Sequence, residues 1–190
     1  MPKTLEPVID RGLAFARCMH QHAIMRILAV VGSLGANSSN LALLKQASAL
    51  STTLVQVVLF DRLGELPFFD PDVQWDQAPT SVRAFREAIA ASDALLIAAP
   101  EYGHSLPGVL KNAIDWLIGS GELEAKVVAI TAAVPHPDRG RLGLAALRQT
   151  LGAVKAQIIS DQAILKGQGA EAALHALLAQ LVAAVEANNG

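Results

Sequence analysis

Two stretches of the chain concentrate residues that can do chemistry. In GSLGANSSN, residues 32–40, two glycines, three serines and two asparagines stand ahead of a helical pattern. Gly32 and Gly35 allow sharp turns and close approach to a ligand, while Ser33, Ser38, Ser39 and Asn40 offer side-chain donors. The free N–H groups and positive end of a following helix favour an anion, and a phosphate monoester fits. The alternative is that Ser38 or Ser39 only caps the helix. Neither the nucleotide triphosphate loop G-x-x-x-x-G-K-[ST] nor the dinucleotide fingerprint G-x-G-x-x-G occurs here.

The second stretch, PEYGHSLPGVLKNAIDW, residues 100–116, places Pro100, Glu101, Tyr102, Gly103, His104 and Ser105 in one turn. A run of backbone amides there lies beside an aromatic ring and an imidazole. A flavin needs such a partner, with N–H donors to its N5 and O4 edge and an apolar or aromatic surface against one face. A planar redox cofactor would satisfy both stretches together. Ser105 and Pro107 also read as ordinary helix initiation, with Ser105 as cap and Pro107 in the first turn.

Single residues carry two readings each. His104 is a proton donor or a lining residue. Glu101 tunes charge at the ligand or bonds the N–H groups of its own turn. His136 and Asp138 lie close in sequence with no further ligand at metal-site spacing, so no metal is expected. No catalytic side-chain nucleophile is expected either.

These loops need a scaffold that aims them at one place. Residues 26–31, 53–60, 94–100, 126–133 and 154–160 read as strands, most of them apolar throughout, as strands buried on both faces of a parallel sheet are. Helical spacing marks 38–51, 80–91, 107–118, 139–151 and 169–187. Five βα units joined by right-handed crossovers predict an α/β, flavodoxin-like three-layer sandwich with a five-stranded parallel sheet in order 2-1-3-4-5. Ligands bind such sheets beyond the carboxyl ends of the strands where the order reverses, between strands one and three. The two stretches rich in chemistry are the loops at that point.

Composition agrees and excludes other classes. The 190 residues suit one domain, and with 52% hydrophobic but 4% aromatic residues the core must be built from Ala, Val, Leu and Ile. With 15 Lys+Arg against 17 Asp+Glu, the net charge of −2 offers no basic run for nucleic acid or acidic lipid. A single cysteine, Cys18, precludes an intramolecular disulfide. No apolar run approaches the roughly 20 residues of a membrane span, and the first 25 lack the apolar segment of a secretion signal. A cytoplasmic location with no membrane partner is expected. Regular alternation begins only at Met25 and Arg26, so residues 1–25 are expected to be an extension or to precede the true start, with a partner-binding arm as the alternative. The flavodoxin-like domain would then occupy 26–190.

GSLGANSSN is similar to the G-S-L-R-x-x-S-x-N element of the NADPH-dependent FMN reductase family, and PEYGHSLPGVLKNAIDW resembles its P-E-Y-N-x-S-x-P-G-x-L-K-N-A-I-D-W element. The resemblance spans about residues 26–185. It implies bound FMN, with NAD(P)H as co-substrate, hydride passing through the flavin to a quinone, flavin or similar small-molecule electron acceptor, and a homodimer or homotetramer. Residue by residue, it implies Ser33, Ser38 and Asn40 around the FMN phosphate. Pro100, Glu101, Tyr102, Gly103 and His104 would border the ring, with Ser105 close by. Thr131, Ala132 and Ala133 are weaker candidates near the pyrimidine end. Two departures stand out. Gly35 replaces the family's arginine, removing a cation expected at the FMN phosphate or the extra phosphate of NADPH. Gly103 replaces its asparagine, keeping the backbone donor. The competing readings are a flavodoxin-like electron carrier without its own nicotinamide site, disfavoured by the small net charge, and a scaffold that has lost FMN.

Two features bear on assembly. On helix 107–118, Leu106, Leu110, Ala113, Ile114 and Leu117 form the core stripe, leaving Val109, Asn112 and Trp116 to face a partner helix or to lie under a neighbouring loop. The long connection 61–79 reads as a functional excursion, or as a surface loop pinned by Phe68, Phe69 and Trp75.

Overall fold

The computed structural model describes residues 24–190; the expected N-terminal extension and Cys18 lie outside the described residues, apart from the strand-forming Met25 and its neighbour Ile24. Strand β1 (Met25–Val31) pairs in parallel with β2 (Val55–Phe60) on one side and β3 (Ala94–Ala98) on the other. Strand β4 (Val127–Thr131) continues the sheet beside β3, and β6 (Gln157–Ser160) closes it beside β4. All pairings are parallel and the order is β2-β1-β3-β4-β6. This is the expected order, with the fifth strand numbered six because a two-residue strand, β5 (Ala133–Val134), precedes it. Strand β5 pairs with β7 (Ile164–Leu165) as a separate two-stranded ribbon.

Every residue of β3 and β4 is buried, as apolar runs without polar alternation require. Successive side chains then enter two cores, one on each face of the sheet. Leu28, Val30, Leu95, Ile97, Val128 and Ile130 join one core, which receives α2 (Thr80–Ala90), α3 (Gly108–Asp115) and α4 (Arg141–Ala153). Ile27, Ala29, Val31, Leu96, Ala98 and Ala129 join the other, under α1 (Ser39–Ala49) and α5 (Ala170–Asn189). The fold is therefore α/β with helices on both sheet faces.

Several expectations change in detail. The last sheet strand begins at Gln157 rather than 154, because α4 runs on to Ala153 and Lys155 takes a left-handed conformation (φ 57°) that ends it. Among the described residues, α5 is the one helix whose length and mean hydropathy, 1.4, reach those of a membrane span, although no such run was expected. Its alanines raise the average, while its larger residues Leu174, Leu177, Leu178, Leu181 and Val185 are buried against the sheet.

Trp116 does not face a partner helix. It is 1% exposed, and its indole Nε1 donates to the Pro67 carbonyl at 2.9 Å. One turn earlier, Asn112 donates from Nδ2 to the same carbonyl and accepts from the Phe69 N–H, at 2.9 and 2.8 Å. Phe69 meets the Trp116 ring edge-on, centroids 5.2 Å apart. The outer stripe of α3 is thus a clamp on the 61–79 loop. Of the three aromatics expected to pin that loop, only Phe69 packs on the core; Phe68 is 91% exposed, and Trp75 lies partly exposed beneath the Arg86 guanidinium. Arg86 is held in turn by Glu122 at 2.6 Å. Burial pushes the Glu122 carboxyl up, but hydrogen bonds from Ser120 and Arg86 outweigh it and hold the group below its ordinary value.

Candidate functional site

The first loop leaves β1 through Gly32, whose N–H donates to the Ala98 carbonyl at 2.8 Å. A Cβ on Gly32 would lie 2.6 Å from the Ala99 Cβ, so only glycine lets the loops after β1 and β3 run so close. Ser38 caps α1: its Oγ accepts from the Asn40 and Leu41 N–H groups at 3.2 and 3.5 Å. Buried Ser33 donates its hydroxyl to Ser38 Oγ at 2.8 Å. Asn40, also buried, accepts the Ala133 N–H on Oδ1 at 2.8 Å and so ties the loop to β5. The amides of Ala36, Asn37 and Ser39 have no partner among the described residues. A Cβ at Gly35 would meet nothing within 4 Å.

The second loop is a tight hairpin. Tyr102 and Ser105 exchange both backbone hydrogen bonds at 3.0 Å, around Gly103 and His104 with φ of 56° and 61°. Positive φ at both central residues is the type I′ turn, which asparagine and glycine tolerate and histidine accepts more readily than most. The geometry accounts for glycine standing where the resembling motif has asparagine. The Gly103 and His104 amides make no hydrogen bond among the described residues. Ser105 is not the cap of α3 that its position suggested. The hairpin holds its backbone, and Pro107, without a side-chain cap bond, stands at the N-cap.

The Glu101 carboxylate stands between the hairpin and α4. Its Oε2 accepts the Leu142 and Gly143 N–H groups at 2.9 and 3.0 Å, capping α4, whose own N-cap residue Gly140 has no side chain to do so. A Cβ on Gly143 would come within 3.0 Å of Glu101, so this glycine makes the contact possible. The Gly143 N–H, then the Leu142 N–H and the His104 side chain hold the Glu101 carboxyl below its ordinary value, against desolvation that pushes it up. His104 Nδ1 stands 3.4 Å from Glu101 Oε1. The backbone N–H groups that Glu101 bonds belong to α4 and not, as expected, to its own turn.

A cleft of about 520 Å³, within the size range of small-molecule sites, opens where the loops meet. It is lined by residues 35–40, by Pro100 and Tyr102, and by Ala133, Pro135 and Lys166. Of the predicted residues, Ser38, Asn40, Pro100 and Tyr102 line it. Ser33 lies beneath Ser38, while Glu101, Gly103, His104 and Ser105 stand outside its lining. Thr131 is wholly buried with its hydroxyl donated to the Gln162 carbonyl, and Ala132 is buried too, so of that trio only Ala133 reaches the cleft.

Lys166 is the residue that sequence reading missed. It follows β7, its N–H bonds the Val134 carbonyl at 2.9 Å, and its Nζ lies 3.3 Å from Ser39 Oγ. Only the pairing of β5 with β7 brings it there, and two-residue strands leave no periodic trace in a sequence. Hydroxyls, open amides and an ammonium group form a donor set that suits a phosphomonoester, and exposed Tyr102 offers a ring beside it. The residues present therefore fit FMN.

The comparisons with known proteins agree. The model of a family described as NADPH-dependent FMN reductase matches residues 25–171. Over 131 residues the chain is 41% identical to an NAD(P)H-dependent FMN reductase of Pseudomonas aeruginosa, covering 67% of this chain and 69% of that protein. It is 42% identical over 92 residues to a 2-hydroxy-1,4-benzoquinone reductase of a Burkholderia species, covering 48% of this chain and 49% of that one, so it spans about half of that relative's length. Among solved structures it resembles a flavoenzyme NAD(P)H:(acceptor) oxidoreductase from Paracoccus denitrificans, with a TM-score of 0.67 and 25% identity over 83% of this chain and 97% of the other.

Proposed function

The chain belongs to the NADPH-dependent FMN reductase family and is on that ground an FMN- and NAD(P)H-dependent oxidoreductase; we propose that it reduces a quinone, a flavin or a similar small acceptor at the cleft between its first and second loops. The observation that carries this reading is the meeting, at one cleft, of the hydroxyls and open amides of the first loop with Pro100 and Tyr102 of the second. When bound, FMN would supply the redox chemistry, hydride acceptance and donation. The protein binds and orients. Ser33 and Ser38 set the hydroxyls at the phosphate end, and Asn40 fixes that loop against β5. Pro100 and Tyr102 would border a bound ring, the Gly103 and His104 amides would be donors available to it from the hairpin tip, and Ser105 closes the hairpin that presents them. Glu101 keeps the hairpin in place through α4.

With no side-chain nucleophile required, nicotinamide and acceptor would take turns at the bound flavin. Initial-rate plots at several acceptor concentrations then give parallel lines; intersecting lines, as from a ternary complex, count against this order. A homodimer or homotetramer is part of the reading. It is supported by Phe68, held out to solvent between Pro67 and Phe69, both of which α3 fixes. So is a cytoplasmic location, where NAD(P)H is regenerated.

The test is to purify the protein, record its visible spectrum, and add NADPH or NADH without oxygen. A yellow protein that NAD(P)H bleaches and a quinone re-oxidises is expected. A colourless protein that takes up no added FMN sinks the proposal, and a yellow one that NAD(P)H leaves yellow points instead to an electron carrier.

A further inference from the structure

The first loop lacks the cation that its phosphate-binding chemistry calls for. Gly35 stands at the tip, Lys45 lies on the exposed side of α1, and residues 32–40 contain no basic side chain. A phosphomonoester near neutral pH carries close to two negative charges, and hydroxyls with amides alone neutralise neither. The structure brings a cation to the same place from the other end of the chain. Lys166, 127 residues beyond Ser39, lines the cleft with residues 35–40, and its Nζ is 3.3 Å from Ser39 Oγ.

We propose that Lys166 is the cation of a phosphomonoester site completed by Ser38, Ser39 and the open amides of the first loop, doing from β7 what an arginine at position 35 would do from within the loop. The inference rests on the cofactor reading above but assigns a residue that reading does not use. Three features support it. The backbone of Lys166 is fixed by its bond to Val134. Strand β5 is in turn fixed to the first loop by the Asn40 to Ala133 bond, so loop and lysine are held to one frame. Among the described residues, Lys166 has no carboxylate within ion-pair distance, so its charge is not already neutralised. A Cβ at Gly35 would meet nothing within 4 Å, and Gly35 lines the same cleft as Lys166.

Two phosphomonoesters are available to such a site, the 5′-phosphate of FMN and the 2′-phosphate of NADPH. The experiment compares wild-type protein with Lys166→Gln and Lys166→Arg, stripped of flavin, by fluorescence titration with FMN and with riboflavin, which lacks the phosphate. KM is also measured for NADPH and NADH with flavin saturating. Loss of a charge-assisted contact predicts about a tenfold or greater fall in FMN affinity for Lys166→Gln. Riboflavin affinity should be unchanged, and Lys166→Arg should restore FMN binding. A loss confined to NADPH, with the NADH KM unmoved, assigns the same cation to the dinucleotide's phosphate instead. If wild type favours FMN over riboflavin and Lys166→Gln does so equally, with the NADPH to NADH ratio also unmoved, the inference is overturned while the cofactor reading stands. If wild type binds neither flavin, the cofactor reading fails first and the inference with it.

Discussion

The loop after β1 and the loop after β3 reach the same cleft by opposite constructions. The first has little internal backbone bonding, a single turn bond from Ser38 N–H to the Gly35 carbonyl, and is shaped by side chains: Ser33 on Ser38, Ser38 on α1, Asn40 on β5. The second is a backbone hairpin whose one strongly bonded side chain, Glu101, is committed to α4. The first therefore offers hydroxyls and a helix end, suited to a compact anion. The second offers bare main chain beside a ring, suited to a flat heterocycle. Its tolerance follows too, because a backbone donor survives a change of side chain and a hydroxyl does not.

Substitutions can break or sharpen that contrast. The largest effect is expected where the loops touch. Gly32→Ala puts a methyl group 2.6 Å from the Ala99 Cβ, and overpacking of this kind costs about 1–3 kcal/mol. Thermal unfolding and flavin titration together should show lower stability and weakened FMN binding. Ser38→Ala follows: loss of an N-cap costs about 1 kcal/mol, and removing the hydroxyl should weaken FMN more than riboflavin. Equal weakening of the two would detach Ser38 from the phosphate end.

Glu101→Gln probes the second loop through pH. The folded carboxyl sits below its ordinary 4.5, so its stabilisation is fully present above that value and is lost as pH falls through the lowered folded value. The gap in urea midpoint between wild type and Glu101→Gln should be widest near neutrality and close as the solution is acidified below 4.5. A gap that ignores pH would mean the carboxylate's charge is not what caps α4. The smallest effect is expected from Gly103→Asn, since φ there is 56° and a Cβ meets nothing within 4 Å. FMN affinity should stay within about twofold, because asparagine tolerates left-handed backbone, while Gly103→Val should fall well outside that range.

The sheet order was legible because buried parallel strands write themselves as apolar runs, and the two key loops because glycine, serine and aromatic clusters interrupt those runs. Finer roles were hidden for specific reasons. The stripe of Trp116 and Asn112 at helical spacing says that a face is covered, not whether a partner or the chain's own loop covers it. Ser105 before a proline looks like a cap, and only the pairing of Tyr102 with Ser105 shows that it closes a hairpin. The capping of α4 by Glu101 joins residues about forty positions apart, and Lys166 is farther still from its loop. Such contacts belong to topology and leave no local pattern.

The clamp of α3 on Pro67 and Phe69 also bears on how the protein can diversify. The 61–79 loop is fastened near its start by Asn112 and Trp116 and near its end by Trp75 under Arg86 and by buried Ala78. Insertions or deletions at the first fastening would disturb α3, which the second loop leads into, and at the second would disturb α2. The stretch between, around Pro71 and Asp72, is exposed and bonded mainly to itself. Length can change there at little structural cost, so this part of the surface can be reshaped while the two loops at the cleft are left as they are.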